Sequence, residues 1–154
     1  MLTICTNTMH KMYNEVQNSI SIPVLHIADA TAEAIKEKNL HTIALLGTRF
    51  TMEHDFYKGR LTEKHGINVL VPEGKDLETV HNIIYNELVL GVIKNESREA
   101  YKEIIEKLAK KGAQGVILGC TEIPLLIQQN DVSIPVFDTT TIHAEKTVKF
   151  ALKS

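Results

Sequence analysis

Two uninterrupted apolar runs constrain the fold of this chain more than any other feature. One covers residues 43–46 and the other residues 116–118, and each ends at a glycine that is followed by polar or sulfur-bearing side chains. Continuous apolar strands are typical of parallel sheets, because helices cover both faces of such a sheet. We therefore expect two buried central strands whose carboxyl ends lie at one edge of the sheet.

Strand-like and helix-like segments alternate along the rest of the chain. Further strands are expected at 2–5, 24–27, 67–72 and 134–138, and helices at 10–16, 32–38, 51–64, 76–88, 97–111, 122–127 and 141–152. Asp29 or Thr31 is expected to cap the second helix, and Gly66 to end the third. The predicted fold class is α/β, a Rossmann-like parallel sheet flanked by helices.

The composition favours a soluble protein with a packed core. Of the 154 residues, 44% are hydrophobic and 23% charged, and the net charge is −2. Because Lys and Arg form no basic stripe, nucleic-acid binding is not expected. No apolar run approaches the roughly 18–20 residues that span a bilayer, and the chain start lacks a signal-peptide pattern. We expect a cytoplasmic protein without a membrane segment.

The two cysteines, Cys5 and Cys120, each follow a strand-like run. They have no Cys-x-x-Cys spacing and no nearby histidine cluster, so no zinc site is expected. Either cysteine could simply pack in the core. Cys120, however, precedes a predicted helix, whose N-terminus would lower the thiol pKa and favour a thiolate that acts as nucleophile or base. His10 and His143 follow strand ends and could approach such a site.

Polar side chains collect where the predicted strands end. They are Thr6, Asn7 and Thr8, then Thr48 and Thr51, then Thr121 and Glu122, and finally residues 138–141. Each of these residues could serve only as a helix cap. Together at one edge of the sheet, however, their polar groups could bind a small ligand that carries a carboxylate. The chain has no Gly-x-Gly-x-x-Gly or Gly-x-x-x-x-Gly-Lys motif and no lysine marked out for a Schiff base, so no cofactor is expected.

These motifs carry a resemblance to a known family. The segments 6–10, 45–48, 115–124 and 135–138, above all Gly119-Cys120-Thr121-Glu122, resemble the aspartate/glutamate racemases. The resemblance implies a cofactor-independent isomerase in which two facing cysteines exchange the Cα proton of an acidic amino acid. On that pattern Cys120 is the second-domain cysteine. The positions of Asn7, Thr8, Thr51 and Thr121 match those that bind substrate carboxylates, and we add Thr48 and Glu122 as further binding residues.

One departure concerns the first catalytic position, where the family pattern has a cysteine and this chain has Thr6. Cys5 lies one residue earlier, and successive strand residues face opposite ways, so Cys5 is expected to point away from the substrate. We hypothesise an asymmetric site in which Cys120 removes the proton and Thr6 assists reprotonation from the other side.

The second departure concerns domain organisation, because the chain starts at a strand that lies inside the first domain of the family. Residues 23–129 are expected to form a complete second domain, and residues 1–22 and 130–154 a remnant of the first, with 134–154 packing on that remnant. Its exposed apolar face would be covered by a partner, which predicts a homo-oligomer, or the chain is a fragment. The alternatives are an inactive racemase-like remnant and a related isomerase of the hydantoin racemase or maleate isomerase type.

Overall fold

The computed structural model describes residues 1–152 and shows an α/β fold in which all paired strands run parallel. The strands are β1 (Leu2–Thr3), β2 (Val24–Leu25), β3 (Thr42–Leu46), β4 (Asn68–Leu70), β5 (Val116–Leu118) and β6 (Val136–Asp138). The helices are α1 (Tyr13–Ser19), α2 (Ile27–Glu37), α3 (Arg49–Glu53), α4 (Asp55–Gly59), α5 (Gly74–Asn86), α6 (Asn95–Lys110) and α7 (Thr139–Ala151). The predicted fold class is confirmed.

The strands form a four-stranded sheet in the order β4-β3-β5-β6 and a separate two-stranded sheet of β1 and β2. Alternate residues of β3 point to opposite faces, as the two-residue repeat of a strand requires. Ala44 and Leu46 pack with α5 and α6, whereas Ile43 and Leu45 pack with α2 and α4. The expectation that β3 is a central strand covered on both faces is therefore confirmed.

Several helix boundaries differ from the sequence prediction. The helix expected at 51–64 is divided into α3, α4 and a π-helical turn at Arg60–Lys64. Gly66 follows that turn with φ of +68°, and its N–H bonds to the Thr62 carbonyl, in agreement with the predicted stop. The helix expected at 122–127 is a single 3-10 turn at Ile123–Leu125.

The predicted cap of α2 was wrong. Helix α2 begins at Ile27, and its N-cap is His26, whose Nδ1 accepts a hydrogen bond from the Ala28 N–H at 3.1 Å. Asp29 instead binds Arg60 in a bidentate ion pair with N···O distances of 2.7 and 2.8 Å. The Thr31 hydroxyl donates to the Ile27 carbonyl within the helix at 2.8 Å. The two side chains predicted to cap α2 therefore have other partners, a distant arginine for Asp29 and a carbonyl of the same helix for Thr31.

The C-terminal segment joins the two sheets. Residues 134–154 were expected to pack on the remnant of the first domain, whereas β6 pairs with β5 of the four-stranded sheet, with Leu118 opposite Asp138. Helix α7 reaches the small sheet, since its Thr147 hydroxyl lies 3.4 Å from that of Thr3. The division into two domains at 22/23 and 129/130 stays a prediction.

Among the described residues, no helix is both long and apolar enough to cross a membrane.

Candidate active site

A cavity of about 190 Å³ lies at the carboxyl ends of β3 and β5. Ligands bind at this edge in open α/β sheets. The cavity is lined by residues after three different strands and by an apolar wall from α5 and the turn that follows it. The lining residues are Thr6, Asn7, Thr8, Thr48, Ile84, Tyr85, Val89, Gly119, Cys120, Thr121 and Glu122. Of the strand-end residues predicted to converge on the site, Thr51 and residues 138–141 do not line this cavity, and all the others do.

Thr51 is fully buried and does not line the cavity. Its backbone N–H donates to the Thr48 hydroxyl, which is the N-cap of α3, at 3.3 Å. The two hydroxyl oxygens are 3.2 Å apart. Thr51 therefore supports Thr48 from behind the cavity wall.

Cys120 and Glu122 form a hydrogen-bonded pair in the cavity. The Cys120 thiol donates to Glu122 Oε2 at 2.9 Å, and the Thr121 hydroxyl donates to the same oxygen at 2.8 Å. Burial and the neighbouring Glu122 carboxylate raise the pKa of the Cys120 thiol to about 12. Burial acts to raise the pKa of Glu122, but the hydrogen bonds from Cys120 and Thr121 outweigh it and leave that pKa below its ordinary value. At neutral pH the pair is a thiol and a carboxylate.

The prediction that a helix N-terminus lowers the pKa of the Cys120 thiol was therefore wrong, because that pKa is raised. The turn after it, Ile123–Leu125, has only three residues and presents no long helix dipole. The carboxylate next to the thiol disfavours a second negative charge. The sequence suggested a helix N-terminus that would stabilise a Cys120 thiolate. In the structure the Glu122 carboxylate lies beside the thiol instead.

A cluster of buried histidines lies beside the cavity. His10 Nδ1 donates to the Thr6 carbonyl at 2.8 Å, while its Nε2 accepts from the Ile27 N–H at 3.1 Å. The His10 ring centre lies 4.6 Å from that of His26 and 5.5 Å from that of His143. Burial lowers the pKa of all three, that of His26 to about 3, so the cluster is neutral. Neither His10 nor His143 lines the cavity; His10 instead holds the backbone of Thr6.

Cys5 lines a different, smaller cavity of about 120 Å³ together with Thr3 and His143. Thr6 and Thr121 lie on the boundary and line both cavities. Cys5 is therefore not in the lining of the cavity that holds Cys120.

Sequence reasoning missed the apolar wall of the site. Ile84 is part of the buried face of α5, whereas Tyr85 and Val89 are 54% and 47% exposed. The sequence did contain a signal for this wall, because Tyr85 is an aromatic residue on the outer side of the amphipathic helix α5 and the apolar turn Leu88–Leu90 follows it. The structure shows no group of His, Cys, Asp or Glu within residues 1–152 that could hold a metal ion.

The family model for Asp/Glu/hydantoin racemases matches residues 1–147. Because this match covers almost the whole chain, the chain belongs to the Asp/Glu/hydantoin racemase family.

Solved structures and curated proteins include several similar relatives. A candidate Asp/Glu racemase from Yersinia pestis is 55% identical, with a TM-score of 0.94 over 97% of this chain and 65% of that one. An aspartate racemase homologue from Pyrococcus horikoshii is 41% identical, with a TM-score of 0.89 over 97% of this chain and 65% of that one. A broad-specificity amino-acid racemase from Bacillus subtilis is 24% identical over 92% of this chain and 60% of that protein. The chain therefore spans about 60–65% of the length of these relatives.

Proposed function

We propose that this protein inverts the Cα configuration of an acidic amino acid, aspartate or glutamate, by proton transfer without a cofactor. Cys120 is the base on one side of the substrate, and Thr6 lies on the other side. The observation that carries the proposal is the Cys120–Glu122 pair, with 2.9 Å between Sγ and Oε2, in a cavity that Thr6 also lines. Family membership and the racemases among its relatives supply the substrate class.

The raised pKa of Cys120 requires a first proton transfer before the thiol can act as a base. Glu122 Oε2 accepts the Sγ–H proton along the existing hydrogen bond. The resulting thiolate is strongly basic, because basicity rises with the pKa of the conjugate acid. It removes the Cα proton of the bound substrate and is a thiol again after this step.

Reprotonation from the opposite face completes the inversion. The Thr6 hydroxyl gives its proton to the Cα carbanion and recovers one from water, while Glu122 returns its extra proton to solvent. His10 positions the Thr6 backbone through the bond from Nδ1 to the Thr6 carbonyl. In this proposal the hydroxyls of Thr8 and Thr48, which line the same cavity, bind the substrate carboxylates. The Thr121 hydroxyl also lines the cavity, but its proton is already donated to Glu122.

The discriminating experiment follows Cα–H exchange in D₂O by proton NMR. L- and D-glutamate and L- and D-aspartate are incubated separately with the wild-type protein and with Cys120→Ser. We expect exchange that is faster from one enantiomer and at least a hundredfold slower in Cys120→Ser, because an alcohol is a far poorer base than a thiolate.

Four results would contradict the proposal. Binding without exchange supports an inactive remnant, and exchange that survives Cys120→Ser removes Cys120 from the base position. Equal exchange from both enantiomers argues against an asymmetric Cys120 and Thr6 pair. Conversion of maleate without exchange of the amino acids would favour the related isomerase instead.

The assembly is also part of the proposal. We infer a homo-oligomer, which is supported by an exposed apolar strip after α5 in which Leu90 is 70% and Ile93 47% exposed. Exposed contiguous apolar surface of this kind is typical of protein interfaces. The cytoplasmic location stays a prediction.

A further inference from the structure

A second cavity, of about 270 Å³, lies away from the candidate active site and has no part in the proposed reaction. It is bounded by the chain at the start of α1, by the start of α2, and by α4 with the π-helical turn that follows it. Its wall includes Lys11, Tyr13, His26 and Arg60. None of its lining residues lines the cavity that holds Cys120, so the two cavities are separate sites.

His26 presents an unpaired hydrogen-bond donor to this cavity. The residue is 2% exposed, and its Nδ1 accepts a hydrogen bond from the Ala28 N–H at 3.1 Å. A ring nitrogen that accepts carries no proton, so the single proton of this neutral imidazole is on Nε2. Within residues 1–152 no oxygen or nitrogen accepts a hydrogen bond from Nε2–H. Native proteins pair nearly all buried polar groups, so this free donor at a cavity wall points to an acceptor supplied by a ligand.

The rings that pack against His26 do not supply this acceptor. The His26 ring centre lies 4.6 Å from that of His10 and 4.8 Å from that of Tyr13. Both nitrogens of His10 already have backbone partners. The Tyr13 ring contacts the guanidinium group of Arg60, whose central carbon lies 4.6 Å from the ring centre. The contacts of the His26 ring therefore hold it in place and leave Nε2–H available to the cavity.

Arg60 adds a cation with unused donors to the same wall. Its Nε and Nη2 donate to the two carboxylate oxygens of Asp29 at 2.7 and 2.8 Å. Nη1, which carries two further N–H groups, takes no part in this ion pair. Lys64 also contacts Asp29, with 2.7 Å between Nζ and Oδ2. One carboxylate thus faces two cations, and a positive charge remains beside the cavity.

The other charged residues of the wall are exposed to solvent. Lys11 Nζ lies 5.1 Å from the centre of the Phe50 ring, a cation–π contact that does not cancel its charge. The carboxylates in the wall are those of Asp55 and Glu63, and Asp55 faces Lys58 Nζ at 3.8 Å. The buried part of the wall therefore offers N–H donors and positive charge, which suits an anion that accepts hydrogen bonds.

We propose that this second cavity binds a small ligand through an oxyanion, a carboxylate or a phosphate group, which accepts hydrogen bonds from His26 Nε2–H and Arg60 Nη1. Lys11 supplies a further positive charge at the entrance. Neither His26 Nε2–H nor the guanidinium group can accept a hydrogen bond, so the same wall disfavours an ammonium ion. The proposal goes beyond the proposed racemisation and does not depend on it, because the two cavities share no lining residue.

The test is a titration of the ¹⁵N-labelled protein with inorganic phosphate and, separately, with acetate. It is followed by ¹H–¹⁵N NMR at pH 7.5 and constant ionic strength. We expect saturable shifts of the Arg60 Nε–H resonance and of the backbone amides of residues 10–14 and 26–28, with a Kd below about 5 mM. The amides of residues 119–122, at the candidate active site, should shift far less. The ion that binds more tightly identifies the group as a phosphate or a carboxylate.

Two variants locate the bound ion. His26→Asn keeps an N-cap side chain for α2 and removes the ring donor, and we expect the Kd to rise about tenfold, as for loss of a hydrogen bond to a charged group. Lys11→Gln removes an exposed charge and should raise the Kd by about two- to fivefold. Lys38→Gln is the matched control, because Lys38 is an exposed lysine at the far end of α2. It should leave the Kd unchanged.

Any of four outcomes overturns the proposal. If neither ion causes saturable shifts, solvent alone fills the cavity, and if the shifts centre on residues 119–122, the ion binds at the candidate active site instead. An affinity that folded His26→Asn leaves unchanged removes the proposed donor. Equal weakening by Lys11→Gln and Lys38→Gln shows only a general charge effect. None of these measurements uses Cα–H exchange, so a failure of this proposal and a failure of the proposed racemisation are distinguishable.

Discussion

Cys120 and Glu122 are two positions apart, and each determines the protonation state of the other. The thiol holds its proton because it is buried and lies against a carboxylate, and the carboxylate stays ionised because it accepts two hydrogen bonds. Glu122 therefore has two opposed effects in the proposed mechanism. It suppresses the thiolate in the free protein, yet it is the group that takes the thiol proton when the substrate is bound.

The substitution Glu122→Gln separates these two effects. Removal of the negative charge lowers the pKa of Cys120, so we expect alkylation by iodoacetamide at pH 8 to become faster, roughly tenfold for each unit of pKa. Cα–H exchange should become slower, because glutamine cannot take the proton. Both rates are measured in a Cys5→Ser background, since Cys5 is exposed and would also react.

Thr121→Val serves as the matched control, because it removes one hydrogen bond to Glu122 and keeps the charge. It should change the alkylation rate far less than Glu122→Gln does. If Glu122→Gln instead slows alkylation, the carboxylate promotes the thiolate in the free protein, and the raised pKa of Cys120 is contradicted.

At the scale of elements, the site depends on close contact between the ends of β3 and β5. Gly119 lies where any side chain would collide, since a Cβ built there is 2.9 Å from Leu45 Cδ1 and 3.0 Å from the Leu46 carbonyl oxygen. The Gly119 N–H donates to that Leu46 oxygen at 2.7 Å. The glycine thus allows the strand end that carries Cys120 to lie against β3.

Gly119→Ala should destabilise the protein and displace Cys120. We expect the free energy of unfolding to fall by about 1–3 kcal/mol, as is usual for overpacking, with at least a tenfold loss of Cα–H exchange. Urea denaturation and the exchange assay measure the two effects. Gly59→Ala in α4 is the control, because its nearest contact is the Asp55 side chain and not backbone. Equal losses in the two variants would show that the Gly119 contact has no special role.

The local sequence pattern predicted which helices and strands are present better than it predicted the residues at which they begin and end. β3 and β5 were evident from their apolar runs, because a strand buried on both faces has no polar position. The start of α2 was not evident, since a histidine at its N-cap is an uncommon choice and Asp29 is a common one. Asp29 is held by Arg60 and Lys64, which come from a segment more than thirty residues away.

At the scale of the whole molecule, the buried histidines make stability depend on pH. Burial, with smaller contributions from Arg60 and His10, lowers the pKa of His26 to about 3, against about 6.5 in an unfolded chain. Between these values the unfolded state binds more protons than the folded state. The free energy of unfolding therefore decreases as the pH falls below about 6.5, and the effect continues towards pH 3.

His26→Asn should reduce this acid sensitivity. Asparagine is a good N-cap and can keep the bond to the α2 backbone, while it removes the titrating ring. We expect the decrease in unfolding free energy between pH 6.5 and 5 to be smaller than in the wild-type protein by roughly 1–2 kcal/mol. Urea denaturation across this range measures it. His41→Asn, at an exposed position before β3, is the control. An unchanged pH dependence in His26→Asn would falsify the assignment of acid sensitivity to His26.

The sequence by itself determined the α/β class, the central strands β3 and β5, the family, and the group of strand-end residues that lines the cavity. These follow from short-range patterns, because apolar runs and polar residues at strand ends are read from neighbours along the chain. Only the tertiary structure decided the protonation of Cys120, the free Nε2–H group of His26, the pairing of β6 with β5 and the position of Thr51 behind the wall. Each of these depends on which distant side chain or strand comes into contact, and on how much water that contact excludes.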